Sequence, residues 1–79
     1  MKIILTTLEG NLFPVEVSED LEIVNLKALC EQETNIALNE MSLSHNGRPL
    51  MEDSRTLASY DIKDNDIVMV QHMMSKKLF

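Results

Sequence analysis

Two histidines, one cysteine and a close pair of aspartates are the residues whose types could do chemistry here: His45, His72, Cys30, Asp64 and Asp66. A histidine with a cysteine or carboxylate at short, regular spacing would hold zinc. Neither histidine has such a neighbour, so no metal or other cofactor is expected. Cys30 falls at helical spacing from Ile23 and Leu26, on an apolar stripe, which predicts a buried structural thiol rather than a nucleophile. Asp64 and Asp66 flank Asn65 just before an alternating apolar run. That placement suits a turn leading into a strand, not an acid–base pair. No nucleophile, base and oxyanion donor can be assembled, so the domain is not expected to be an enzyme. The chemistry left is recognition through exposed side chains.

The elements that must present those side chains are legible as periodicity. Met1, Ile3 and Leu5 alternate with Lys2, Ile4 and Thr6, which predicts a strand. Leu8-Glu9-Gly10 is a turn, after which Phe13, Val15 and Val17 return on the same face as Ile3 and Leu5. From Ile23 the spacing becomes helical, with Asp20 or Glu22 as N-cap candidates and Asn35 as a left-handed C-cap. Leu38, Met41 and Leu43 lead into a third strand. Asn46-Gly47 is a two-residue hairpin signal, and Pro49 marks the fourth strand, Arg48-Pro49-Leu50, as an edge. Leu57, Tyr60 and Ile62 pack a turn-rich connection before a last strand with Val68 and Val70 inward. A two-strand opening, one helix and further strands make an α+β domain.

The chain has 79 residues, enough for one domain, and 44% of them are apolar, as expected of a globular chain. Its lone cysteine forbids an internal disulfide and suggests a reducing compartment, the cytoplasm and/or the nucleus. No apolar run approaches the roughly 18 residues a membrane span needs, and no membrane partner is expected. The net charge is −6, and seven acidic residues between positions 16 and 40 face only Lys27. That sign disfavours nucleic acid and favours a basic protein partner.

From residue 1 to about 74 the sequence resembles ubiquitin. The likeness is carried by Thr7-Leu8, Gly10, Glu16-Val17, Asn25, Lys27-Ala28, Ile36, Gly47, Leu50, Arg55-Thr56-Leu57, Tyr60 and Ile62. One extra residue lies in the loop from Glu52 to Arg55. LKALCEQET followed by RPLMEDSRTLASYDIKDNDIVMV is more closely similar to the N-terminal ubiquitin-like domain of the DNA-damage-inducible shuttle family. The resemblance implies a β-grasp, with a mixed sheet packed on one helix over residues 1–74, and a tail or linker from 75 to 79. It also implies a buried Tyr60 ring whose hydroxyl serves loop backbone groups. The wider family carries a retroviral-type aspartyl protease, but no Asp-Thr-Gly or Asp-Ser-Gly triplet occurs in these residues.

The family's ubiquitin-like domains dock ubiquitin or the proteasome, so the implied partners are ubiquitin and a proteasome receptor subunit, engaged by a monomeric domain. The final residues Lys76-Lys77-Leu78-Phe79 lack the Gly-Gly that conjugation needs. Of ubiquitin's lysines only Lys27 and, approximately, Lys63 remain. Of the three apolar residues that ubiquitin presents to partners, Leu8 is kept, but the other two positions read Ser44 and Gln71. If strands one, two and five are adjacent as in a β-grasp, their outward residues Ile4, Leu12, Ile67 and Met69, with Leu8, form a displaced apolar patch. Ser42, Ser44, His45 and Gln71 are expected to rim it, with Glu16 and Asp66 meeting a basic partner. Two alternatives stay open: a modifier whose tail is processed or truncated, and an internal regulator of an attached protease.

Overall fold

The alternating N-terminal run forms β1 (Lys2–Thr7), and after a turn the chain returns as β2 (Leu12–Glu16). The computed structural model describes residues 1–72, and the proposed tail at 75–79 lies outside them. A helix, α1 (Ile23–Thr34), follows. Then come a 3-10 turn at Leu38–Glu40, β3 (Met41–His45), the two-residue β4 (Arg48–Pro49), a second 3-10 turn at Ala58–Tyr60, and β5 (Ile67–His72). The sheet order is β2-β1-β5-β3-β4. β1 and β5 run parallel, and every other pair is antiparallel. This is the expected mixed sheet on one helix, an α+β β-grasp.

The core lies between α1 and the inner face of the sheet. Ile23, Leu26 and Cys30 on the helix meet Ile3, Leu5, Leu43, Val68 and Val70 on the strands, all buried. Burial of such aliphatic side chains contributes about 1.5–3 kcal/mol each before chain entropy is subtracted. Phe13 and Val15 on β2, and Val17 just past its end, are only half-buried, because this is an edge of the sheet.

Side-chain chemistry alone does not start the helix. Glu22 occupies the N-cap position without a side-chain capping bond. The first helical N–H groups instead donate to distant backbone carbonyls, Ile23 to Arg55 at 2.9 Å and Val24 to Asp53 at 3.0 Å. These bonds satisfy donors that an α-helix leaves orphaned. They also tie α1 to the loop before the second 3-10 turn, where Glu22 and Thr56 form a bridge. At the other end Asn35 adopts the expected left-handed conformation (φ 63°), and its N–H donates to the Glu31 carbonyl.

Both sheet edges carry proline. Pro49 lies in β4, and Pro14 lies in β2 opposite Ile4. Met1 and Val17 exchange two backbone hydrogen bonds, at 2.7 and 2.8 Å. Bonded pairs repeat every second residue along an antiparallel ladder, so the N–H that Pro14 lacks is one that would face away from the sheet. Proline there leaves the ladder intact and blunts the edge against pairing with another chain. Asn46 and Gly47 both have positive φ (54° and 80°), the conformation a two-residue hairpin loop requires between His45 and Arg48.

Tyr60 closes the bottom of the core. Its ring is buried, its hydroxyl accepts the Glu52 N–H at 3.1 Å, and the Arg55 guanidinium sits 4.1 Å from the ring centroid. Tyr60→Phe is expected to leave that N–H without its partner and lower stability by about 1–2 kcal/mol. Urea unfolding checks this: the midpoint should fall while the slope of the transition stays unchanged.

Candidate functional site

Strand register decides which side chains share the outer face of the sheet. Ile4 on β1 stands opposite Pro14 on β2 and Ile67 on β5. One pleat further, Thr6 stands between Leu12 and Met69, and Met69 stands opposite Ser44, which in turn faces Pro49. Directly opposed positions are about 4.5–5.5 Å apart and diagonal ones about 7–8 Å. Ile4 is therefore diagonal to both Leu12 and Met69. Leu12 and Ile67 are exposed at 64% and 54%, whereas Ile4 and Met69 are half-buried between their neighbours. Four of the expected residues thus share one face across three adjacent strands.

The remaining expected positions divide. Ser44 and Gln71 lie on the same face toward β3, with Gln71 opposite Ser42. Leu8 is 75% exposed, but it lies in the turn beyond the end of β1 and not in the rows. Pro49 extends the face past Ser44. It was legible only as an edge marker until the β3–β4 register placed it.

Two expectations are corrected, His45 on the rim and Asp66 as a charge offered to a partner. His45 is buried, because it falls on the inward side of β3 with Met41 and Leu43. That alternation was present in the sequence, and it outranks the polar character of the residue. Its Nε2 lies 2.9 Å from Asp66 Oδ2. Asp66 is consequently not a free charge for a partner, since the same oxygen accepts the Lys63 N–H at 2.9 Å. The Lys63 N–H, more than any other group, holds the Asp66 carboxyl below its ordinary range; slight burial opposes the shift and the contact with His45 adds to it. Glu16 remains exposed, 3.8 Å from the N-terminal ammonium.

The pH dependence follows from that direction. A carboxyl whose folded pKa lies below its unfolded value of about 3.9 contributes stability that is present above that value. The contribution is lost as pH falls through the folded pKa. Asp66→Asn is expected to flatten the loss of stability below about pH 4, measured as the thermal midpoint from pH 6 to pH 2. Parallel profiles for the two proteins would refute this role.

The remaining reactive groups are structural. Cys30 is fully buried, and burial followed by the Glu33 charge pushes its thiol up to about 12, leaving it protonated and inert. The side chain of Lys27 is only 15% exposed and its ammonium pairs with Asp53 at 2.9 Å. Among the described residues, no cluster of three or more His, Cys, Asp or Glu side chains is arranged to hold a metal. No helix among them is long and apolar enough to cross a membrane.

The family model of the ubiquitin family matches residues 3–74. Protein DDI1 homolog 2 of Xenopus tropicalis is 42% identical over 59 residues, which are 75% of this chain and 15% of that protein. Protein DDI1 homolog 1 of Homo sapiens is 43% identical over 58 residues, 73% of this chain and 15% of that protein. Protein DDI1 homolog 2 of Mus musculus is 41% identical over 59 residues, with the same coverage as the Xenopus tropicalis protein. The chain thus spans about 15% of the length of the curated relatives it matches.

Proposed function

The chain belongs to the ubiquitin family, and from that premise we propose that it is a non-catalytic interaction domain of a proteasome shuttle. It binds ubiquitin and/or a proteasomal receptor subunit through the outer face of its sheet. The observation that carries this reading is the registered placement of Ile4, Leu12, Ile67 and Met69 on one face. Contiguous exposed apolar surface of this kind marks interaction sites. The flexible thioether of Met69 adapts to a partner's contour. Similarity to the DDI1 homologs supports a place in the ubiquitin pathway, and such a domain would work as a monomer in the cytoplasm and/or nucleus.

Ubiquitin is the preferred partner on electrostatic grounds. Its own recognition face is apolar and ringed with basic residues, and this chain carries a net charge of −6 with Glu16 exposed beside the patch. Complementary charge would raise the encounter rate and fix orientation more than it would raise affinity. An NMR titration of isotope-labelled domain with unlabelled ubiquitin tests the reading. Shifts are expected to cluster on Ile4, Leu12, Ile67 and Met69. Absence of shifts at millimolar ubiquitin would remove ubiquitin as the partner, and the same titration with a proteasomal receptor subunit would then decide the other arm.

A further inference from the structure

At the end of the sheet nearest the C-terminus of α1, the fold leaves a cleft of about 450 Å³. Its apolar walls are Leu8 from the β1–β2 turn, Phe13 from β2, Ile36 after the helix, and Val70 from β5. Phe13 and Ile36 pack against the core with one side and remain partly open on the other. The volume lies within the roughly 300–1,000 Å³ range of pockets that enclose small ligands or anchor side chains.

Charge gives the cleft a sign. Glu9 from the β1–β2 turn and Glu33 from α1 line it and are exposed, and among the described residues no lysine or arginine lines it. The last turn of α1 carries no basic residue, so no cation on the helix offsets the negative end of its dipole here. An apolar hollow with an acidic rim fits an apolar side chain that has a cation beside it. It disfavours an acidic segment by repulsion.

We propose that this cleft docks a peptide segment of a partner protein, one with a large apolar side chain next to lysine or arginine. The apolar group would seat between Phe13, Ile36 and Val70, and the cation would meet Glu9 and Glu33. The cleft meets the sheet face at Leu8 and Gln71 but includes none of Ile4, Leu12, Ile67 and Met69, so the two surfaces can be tested separately.

The probes are two blocked peptides, Gly-Lys-Phe-Lys-Gly and Gly-Glu-Phe-Glu-Gly, titrated into the labelled 79-residue chain. The lysine peptide is expected to shift the amides of Leu8, Phe13 and Ile36, to bind about tenfold more tightly than the glutamate peptide, and to weaken as salt is raised. The double variant Glu9→Lys with Glu33→Lys alters only exposed side chains, and it should abolish the preference while the rest of the spectrum is retained. Equal affinity for both peptides, no shift at the cleft, or shifts confined to Leu12 and Met69 would each overturn the proposal. Failure of the sheet-face reading is recognised separately, as loss of ubiquitin-induced shifts at Leu12 and Met69.

Discussion

Replacing Leu12 with lysine is expected to raise the dissociation constant for ubiquitin by at least about tenfold, or 1.4 kcal/mol, while leaving the fold intact. Leu12 is 64% exposed on the outer edge strand. A lysine there meets no core and is a residue that edge strands tolerate well. Its backbone pairing with Thr6 does not involve the side chain. The change removes apolar contact area and places a cation against a partner face that is itself ringed with basic residues, so loss of attraction and new repulsion act together. Isothermal titration or chemical-shift mapping gives the affinity, and thermal unfolding gives the control, expected to move by no more than about 4 °C for a surface change within ±0.5 kcal/mol. Unchanged affinity in a folded variant would discard the outer face as the binding surface.

Leu57→Ala is expected to have the largest effect on stability. Leu57 is fully buried, together with Tyr60 and Ile62 from the same short connection. Its N–H donates to the Leu21 carbonyl at 2.9 Å, and its own carbonyl accepts from both Tyr60 and Ile62. Truncation leaves a cavity that this hydrogen-bonded backbone cannot relax to fill. Such substitutions cost about 2–5 kcal/mol, against a total of about 5–10 kcal/mol for a domain of this size. The thermal midpoint should therefore fall by at least about 10 °C. A fall of less than 3 °C would mean that the connection collapses around the smaller side chain. Ubiquitin binding measured well below the new midpoint should be unchanged, because Leu57 does not reach the outer face.

Much of this molecule is legible locally. The two-residue alternation of β1 and β5, the helical stripe of Ile23, Leu26 and Cys30, the positive-φ cap at Asn35 and the Asn46-Gly47 hairpin each depend on a few consecutive residues. The inward or outward sense of Ile4, Leu12, Ile67 and Met69 follows from the same alternation. The sequence by itself determined these features because backbone dihedrals and side-chain direction are short-range properties. The resemblance to ubiquitin supplied the strand order that placed the separate outward residues side by side.

Other features were decided only by the tertiary structure, because they join positions far apart in the chain. The parallel pairing of Ile4 with Ile67 sets which outward residues become neighbours. Glu22, one of the two candidates, holds the N-cap position but makes no side-chain capping bond; the first helical N–H groups are met instead by the carbonyls of Asp53 and Arg55, about thirty residues away, which no local stretch of sequence reveals. His45 and Asp66 have polar types that suggest a surface role. Yet His45 falls on the inward side of β3, and Asp66 reaches it from the start of β5. Inward placement took His45 off the rim and the pairing engaged the Asp66 carboxylate, since a buried imidazole needs a hydrogen-bonding partner and the residue leading into β5 provided one. The cleft between the β1–β2 turn and the end of α1 is likewise absent from any stretch of sequence. It exists because a short turn and a helix terminus stop short of each other above Ile36 and Val70, and shape of that kind arises only when the elements pack.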